Sequence, residues 1–176
     1  MSSWKPVNDW KSTWHTKTLH GLSMMLHWET VGSGRLALFH RPKIKVLPVW
    51  AASGCDLVVT LLSDGEDAEA LGAKIRALNM DWHWLAMRTG RPPGVRDTER
   101  IRAALPIISA SLDEGRSIMI HCAAGVHRTG MIAYALLRWR GCGAEDALET
   151  IGRLRAHTRN ALRPEHLQWA ECLFTS

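Results

Sequence analysis

The chain of 176 residues fits one domain and is long enough to bury a hydrophobic core. Hydrophobic residues make up 46% and charged residues 22%, the balance of a soluble globular protein, and no apolar run approaches the roughly 18 residues of a membrane span. The net charge of +5 favours an anionic substrate but does not by itself indicate nucleic acid. The polar N-terminus has no signal-peptide pattern, so we expect a cytoplasmic protein.

The first segment of the chain is rich in tryptophan and shows no clear period. Four of the nine Trp residues, Trp4, Trp10, Trp14 and Trp28, fall within the first thirty positions. We expect one domain over residues 1–176, with residues 1–34 an extension that packs on or flanks its core. A recognition surface that stacks on nucleic-acid bases is the alternative for these tryptophans.

Strands and helices alternate along the rest of the chain. Apolar, β-branched runs predict strands over residues 35–40, 56–62, 82–87 and 117–120. Helices are predicted from a capping box at Ser63–Glu66 to about Leu78, from Asp97 or Thr98 to Asp113, and over 130–140, 144–157 and 164–174. This alternation predicts an α/β domain with a central, mostly parallel sheet flanked by helices.

A loop of small residues joins the last predicted strand to a helix, in the stretch His121-Cys-Ala-Ala-Gly-Val-His-Arg-Thr-Gly130. Such a loop points backbone N–H groups inward, and the helix N-terminus adds partial positive charge, so the geometry cradles a phosphate. Cys122 at the base of the cradle is expected to be a thiolate nucleophile, and Arg128 offers a planar fork to two phosphoryl oxygens. The predicted phosphate-binding residues are Ala123, Ala124, Gly125, Val126, His127 and Arg128.

Alternatives remain open for some residues of this loop. Cys122 could instead be a buried structural thiol, the commonest fate of a single Cys. His127 could donate to the substrate or face outward at the rim, whereas His121 is expected to pack behind the loop and order it. The four cysteines match no zinc or disulfide pattern, so neither a metal nor a disulfide is predicted.

The stretch resembles the signature of the protein-tyrosine and dual-specificity phosphatase superfamily: His-Cys, five residues, then Arg-Ser/Thr-Gly. Every defining position is present, and residues 35–174 resemble a compact dual-specificity phosphatase of the cyclin-dependent-kinase-associated type. The resemblance implies hydrolysis of phosphomonoesters through a phosphocysteine intermediate and no metal or organic cofactor. It implies Cys122 as nucleophile, Arg128 as transition-state clamp and Thr129 as the hydroxyl that stabilises the thiolate.

The substrate implied first is phosphotyrosine or another phosphoprotein. The same chemistry on an RNA phosphate, a phosphoinositide or an inositol phosphate is an alternative, as is a phosphate-binding module that lacks its acid. The arginines Arg88, Arg91 and Arg96 would suit a substrate with more than one phosphate, or they are simply solvated surface charges. Neither a nucleic-acid partner nor the oligomeric state follows from the sequence.

The general acid is where the chain departs from the family. Relatives carry an Asp on a loop before the signature, which protonates the leaving oxygen. In this chain Thr89 aligns with that position, and the only carboxylate of the loop is Asp97. Asp97 is therefore a candidate acid, although we expect it to be the N-cap of the following helix.

Overall fold

The computed structural model describes residues 26–174 and, before them, two paired strands, β1 (Thr18–Leu19) and β2 (Leu22–Ser23). Trp4, Trp10 and Trp14, and with them most of the predicted N-terminal extension, lie outside the described residues. Trp28 is buried, and the guanidinium carbon of Arg35 lies 5.1 Å from its ring centroid. This tryptophan therefore belongs to the core.

Five strands form the central sheet: β3 (Glu29–Val31), β4 (Gly34–Phe39), β5 (Leu57–Thr60), β6 (Asp81–Trp84) and β7 (Ser117–His121). Their order across the sheet is β3-β4-β7-β5-β6. The strands β4, β7, β5 and β6 are parallel, and β3 runs antiparallel to β4 at one edge. The prediction of a mostly parallel sheet is confirmed. Because β7 is central and parallel to both of its neighbours, the loop that follows it lies at the carboxyl ends of the parallel strands, where α/β sheets bind ligands.

Helices cover both faces of the sheet. In chain order they are α1 (Leu47–Ala52), α2 (Ala68–Arg76), α3 (Val95–Asp113), α4 (His127–Trp139), α5 (Ala144–Leu154), α6 (Ala156–Asn160) and α7 (Pro164–Glu171). Successive residues of β7 point to opposite faces: Ile118 and Ile120 join the hydrophobic cluster of α3, α4, α5 and α7, while Met119 joins that of α1 and α2. The α/β prediction is confirmed. No helix among the described residues has the length and apolar character needed to cross a bilayer.

Two predicted helices are interrupted in the structure. The capping box at Ser63–Glu66 forms, but it closes only a 3-10 turn, because Asp67 takes a left-handed backbone with φ 52° and α2 begins afresh at Ala68. The helix predicted over 144–157 is divided at Arg155, whose extended backbone (φ −165°, ψ 99°) separates α5 from α6.

The prediction that Asp97 is an N-cap is wrong. Helix α3 begins two residues earlier, at Val95, and Gly94 is the cap, with its carbonyl accepting from the Thr98 N–H at 2.9 Å. The helix begins directly after Pro92, Pro93 and Gly94, which lie in the preceding loop. Asp97 therefore lies within the first turn, where its charge is favourable to the helix dipole, and its carboxylate pairs with Arg100 at 3.2 Å.

Candidate active site

The loop from Cys122 to Val126 joins the end of β7 to the first turn of α4. Three successive carbonyls of this loop are bonded to its surroundings: Ala123 O to the Arg41 N–H (3.0 Å), Ala124 O to Arg155 Nη2 (3.4 Å) and Gly125 O to Thr158 Oγ1 (2.6 Å). Since each planar peptide points its N–H opposite to its carbonyl, the N–H groups turn toward the middle of the loop. The predicted phosphate cradle is thus a set of inward amides held by neighbours that bind the carbonyls from outside.

Gly125 allows the loop to close around the thiol of Cys122. Its φ is +67°, and a Cβ at this position would lie 2.4 Å from the carbonyl oxygen of Phe39, so no other residue fits without moving backbone. Its N–H donates to Cys122 Sγ at 3.2 Å. Cys122 is 2% exposed and lies at the base of the loop. A backbone N–H aimed at sulfur suits a sulfur that carries negative charge.

Arg128 lies in the first turn of α4, because this helix begins at His127 and not at the predicted residue 130. Its Nη1 donates to the carbonyl oxygens of Leu61 (3.1 Å) and Met87 (2.9 Å). Both terminal nitrogens bind the Glu66 carboxylate, at 2.6 and 3.0 Å. The opposite edge, with Nε and the second hydrogen of Nη2, makes no hydrogen bond to a protein oxygen among the described residues, so it can receive two phosphoryl oxygens.

Glu66 is the functional residue that the sequence analysis placed only in a capping box. Its carboxylate accepts from the Ser63 N–H and hydroxyl, each at 2.8 Å, and the same carboxylate orients Arg128. The hydrogen bond from Arg128 lowers the pKa of Glu66 to about 2, and the carboxylate in turn raises the pKa of Arg128. Glu66 is therefore ionised and cannot serve as a general acid. The capping box is the sequence pattern from which the fixed position of this carboxylate could be predicted.

His121 packs behind the loop, as predicted, at the end of a hydrogen-bond chain. Trp82 Nε1 donates to Thr60 Oγ1 (2.9 Å), which lies 2.8 Å from His121 Nε2, and His121 Nδ1 lies 3.4 Å from the Cys122 carbonyl oxygen. Because the Cys122 carbonyl can only accept, the ring proton lies on Nδ1, and Nε2 then accepts from the Thr60 hydroxyl. Burial lowers the pKa of His121 to about 4, so the ring is neutral and holds the Cys122 carbonyl.

Residues 41–142, more than half of the chain, match the family described as "Polymorphic toxin system, DSP-PTPase phosphatase". The chain belongs to this family. The resemblance inferred from the sequence signature is thereby confirmed, and the protein is a phosphatase. No curated protein matches it.

Solved phosphatase structures share the fold. The active form of Tk-PTP is 25% identical, with a TM-score of 0.67 over 80% of this chain and 91% of that one. PTPMT1 in complex with PI(5)P is 15% identical (TM-score 0.68, 83% and 93% covered). Kinase-associated phosphatase with its catalytic Cys replaced by Ser is 16% identical (TM-score 0.65, 94% and 99% covered). The last two comparisons concern fold alone, and they support the predicted dual-specificity-phosphatase-like architecture.

Two further residues of the phosphatase signature lie in the first turn of α4. Thr129 is fully buried, and its hydroxyl has no hydrogen-bond partner among the described residues, so its role at the thiolate stays a prediction. His127 lies between α7 and the loop that precedes α3. A Cβ at Gly90 in this loop would come within 2.9 Å of His127 Cβ, and the ring centroids of His127 and His166, a residue of α7, are 5.4 Å apart. This position fits the rim alternative for His127.

A cleft of about 590 Å³ adjoins the phosphatase loop without including Cys122 in its lining. Its walls are the Ser63–Asp64 turn, the two neighbours of Met87 and the start of α3, including Asp97. Ser63 donates to Glu66, which accepts from Arg128, and the Met87 carbonyl also accepts from Arg128. On these two sides, one residue separates the cleft from Arg128. Thr89, aligned from the sequence with the Asp of the relatives, accepts from the Arg91 N–H at 3.2 Å and shapes the loop.

The pairing of Glu66 with Arg128 predicts a defined pH dependence of stability. The folded pKa of Glu66 is depressed from 4.5 to about 2, so the ion pair stabilises the fold fully above about pH 4.5 and loses its contribution as pH falls toward 2. We expect Glu66→Gln to melt below the wild type at about pH 7, with the difference shrinking through this acid window. Thermal unfolding at stepped pH measures it.

The exposed Glu69, in the first turn of α2, provides the matched control for this measurement. Glu69→Gln should give a small difference in melting temperature without the loss between pH 4.5 and 2 that belongs to Glu66. A Glu66→Gln difference that stays constant from neutral pH to about pH 2 would contradict the ion-pair assignment.

Proposed function

We propose that this phosphatase hydrolyses phosphomonoesters by attack of Cys122 on phosphorus, with a phosphocysteine intermediate. The observation that carries the proposal is Cys122 Sγ at the base of the loop of inward N–H groups, with Arg128 in the adjoining helical turn. The S–P bond forms as the bond from phosphorus to the leaving oxygen breaks. Water then attacks phosphorus, the S–P bond breaks, and inorganic phosphate leaves with the thiolate restored.

The loop and Arg128 act on the charge that develops during both displacements. Inward N–H groups and the free edge of the Arg128 guanidinium donate to the three equatorial oxygens of the transferring phosphoryl group. Glu66 holds the guanidinium through its other edge, so the arginine is oriented before substrate arrives. His121 contributes by fixing the Cys122 carbonyl, and Thr129 is the proposed donor to the sulfur.

We propose a phosphoprotein substrate, phosphotyrosine first. The supporting argument is the leaving group: among the described residues Glu66 is ionised, and Asp97 lines a cleft that Cys122 does not line, so neither carboxylate is placed as a general acid at the sulfur. Aryl oxygens leave without protonation far more readily than alkyl oxygens, which depend on a general acid for about 10²–10⁴-fold in rate. A phosphoinositide, inositol phosphate or RNA phosphate is the alternative, and a cytoplasmic location stays a prediction.

Turnover of p-nitrophenyl phosphate, inhibited by vanadate, separates an enzyme from a binding module without turnover. A panel of a phosphotyrosine peptide, the matched phosphoserine peptide, a phosphoinositide and a 5′-phosphorylated RNA then tests the substrate class. We expect the phosphotyrosine peptide to show the highest kcat/KM, by about tenfold or more over its phosphoserine match. A higher value for the phosphoinositide or the RNA would contradict the phosphoprotein proposal and leave the phosphatase chemistry intact.

Asp97 is tested by leaving-group dependence. Because its carboxylate pairs with Arg100 and does not cap the helix, we expect Asp97→Asn to change kcat for both p-nitrophenyl phosphate and an alkyl phosphate by less than about tenfold. A loss above about a hundredfold that is confined to the alkyl phosphate, with an unchanged melting temperature, would identify Asp97 as the general acid. Asp64→Asn, which changes another carboxylate of the same cleft, is the matched control.

A further inference from the structure

Arg155 is a cation beside the phosphatase loop with no carboxylate partner among the described residues. It stands at the break between α5 and α6, with its side chain partly buried. Its Nη2 reaches the Ala124 carbonyl at 3.4 Å, and its guanidinium carbon lies 6.0 Å from the Phe39 ring centroid. The Nε atom is buried without a hydrogen-bond partner in this part of the chain. Partly buried charges are normally paired, so this arrangement calls for a ligand.

Two basic side chains, His40 and Lys43, lie near Arg155. The His40 ring stacks on the Phe39 ring with centroids 4.2 Å apart, and Phe39 is also the ring that Arg155 faces. Burial, then the charges of Arg155 and Lys43, lower the pKa of His40. Burial also lowers the pKa of Arg155, and charge on Cys122 opposes that shift, so the guanidinium lies within electrostatic reach of the sulfur. His40 and Lys43 are exposed. An anion at this position would meet the positive charges of Arg155 and Lys43 and could enter from solvent.

The cleft lined by the start of α3 differs from the surroundings of Arg155, because carboxylates balance its positive charges. Its Arg100 pairs with Asp97 at 3.2 Å and also bonds the Ala86 carbonyl, and Asp64 lines the same walls. An incoming phosphate would have to compete with these carboxylates. Arg155 itself takes part in no ion pair among the described residues, and Arg41, whose N–H binds the Ala123 carbonyl of the loop, pairs with Asp67 only at 3.8 Å, with both side chains exposed. The Arg155 side therefore offers the stronger site for a second anion.

We propose that Arg155, together with His40 and Lys43, binds a second phosphate group on the substrate molecule whose first phosphate Cys122 attacks. The inference rests on the proposed function, since it takes Cys122 and Arg128 as the site of the first phosphate. Arg155 binds the Ala124 carbonyl from outside the loop, whereas Arg128 is held by Glu66 and by the carbonyls of Leu61 and Met87, so the two guanidinium groups would bind different phosphates of one substrate. Doubly phosphorylated peptides and inositol bisphosphates both offer this chemistry.

The test measures binding, so that it does not depend on turnover. In the Cys122→Ser background, calorimetry gives Kd for a phosphotyrosine peptide, the same peptide with a neighbouring phosphothreonine, inositol 1-phosphate and an inositol bisphosphate. We expect the doubly phosphorylated member of at least one pair to bind about tenfold more tightly, the range of one charge-assisted hydrogen bond. The pair that shows the preference identifies the source of the second phosphate.

Substitution at Arg155 then shows which residue carries the preference. Arg155→Met should remove most of it, and Arg155→Lys should retain part, because the charge remains without the planar fork. Arg159→Met, one turn further along α6 on an exposed arginine, should leave every Kd unchanged.

Two results would overturn the inference: equal Kd within both pairs, or an Arg155→Met loss of the same factor for singly and doubly phosphorylated ligands. The second would make Arg155 only a support for the Ala124 carbonyl. Failure of the proposed function is seen separately, as absent turnover of p-nitrophenyl phosphate by the wild type.

Discussion

Cys122→Ser is expected to lower kcat for p-nitrophenyl phosphate by at least about a thousandfold, because a serine hydroxyl stays protonated and is a far weaker nucleophile than a thiolate. The loop N–H groups and Arg128 are unchanged in this variant, so binding of tungstate or vanadate should persist. Steady-state kinetics and calorimetry with tungstate measure the two halves of the prediction. Rapid-quench trapping of phosphocysteine in the wild type, and its absence in the variant, would identify the intermediate.

Cys172→Ser is the matched control, since Cys172 is an exposed thiol at the end of α7. It should retain wild-type kcat and tungstate affinity. A Cys122→Ser enzyme with near-native turnover would remove Cys122 from the mechanism, and a variant that is inactive but also unable to bind tungstate would point to a collapsed loop.

Arg128→Lys is expected to lower kcat by about 10²–10³-fold, the cost of losing one preorganised donor to a transition-state oxygen. An ammonium cannot keep both contacts with Glu66 and also present two parallel N–H groups to the phosphoryl oxygens, because its donors lack the planar fork. The loss should appear in kcat more than in KM, since the contacts strengthen as charge develops. Kinetics on p-nitrophenyl phosphate measure it.

The same helix supplies a matched arginine for this experiment. Arg138 binds the Glu171 carboxylate through two nitrogens, at 2.7 and 3.1 Å, and lies near the other end of α4. Arg138→Lys should lower the melting temperature with kcat unchanged, because its ion pair joins α4 to α7 away from the loop. Equal kcat losses in the two variants would contradict the assigned role of Arg128.

The proposed nucleophile and its loop could be predicted because they are contiguous in the chain. The stretch from His121 to Gly130 carries the strand end, the small residues and the helix start together, and strand–helix alternation predicts the sheet around it. Glu66 could not be assigned in this way: it meets Arg128 across 62 positions, through a turn whose register depends on Asp67 taking a positive φ. The sequence pattern around Glu66 indicates its role in capping the turn, but nothing in that pattern indicates its contact with Arg128.

Arg155 was missed for a similar reason. The apolar period of residues 144–157 continues without interruption, so local pattern predicts one helix. In the structure Thr158 donates to the Gly125 carbonyl at 2.6 Å and Arg155 reaches that of Ala124, contacts that an unbroken helix would direct elsewhere. Tertiary hydrogen bonds to the loop thus override local helix propensity at this one residue. Asp97 was misplaced by three positions, since it was predicted as the N-cap and Gly94 is the cap.

The positions of the described cysteines determine how this enzyme would respond to peroxide. Cys55 precedes β5, and Leu57 lies opposite Ile118 on β7, so Cys55 and Cys122 are offset by six residues along adjacent parallel strands, roughly 20 Å at about 3.3 Å per residue. Cys142 and Cys172 both lie near Arg138, about 15 Å along α4 from Arg128. A disulfide needs Cα atoms within about 7 Å. An oxidised Cys122 would therefore find no resolving thiol among the described residues, and its sulfenic acid would be rescued by an external thiol or proceed to the sulfinic state.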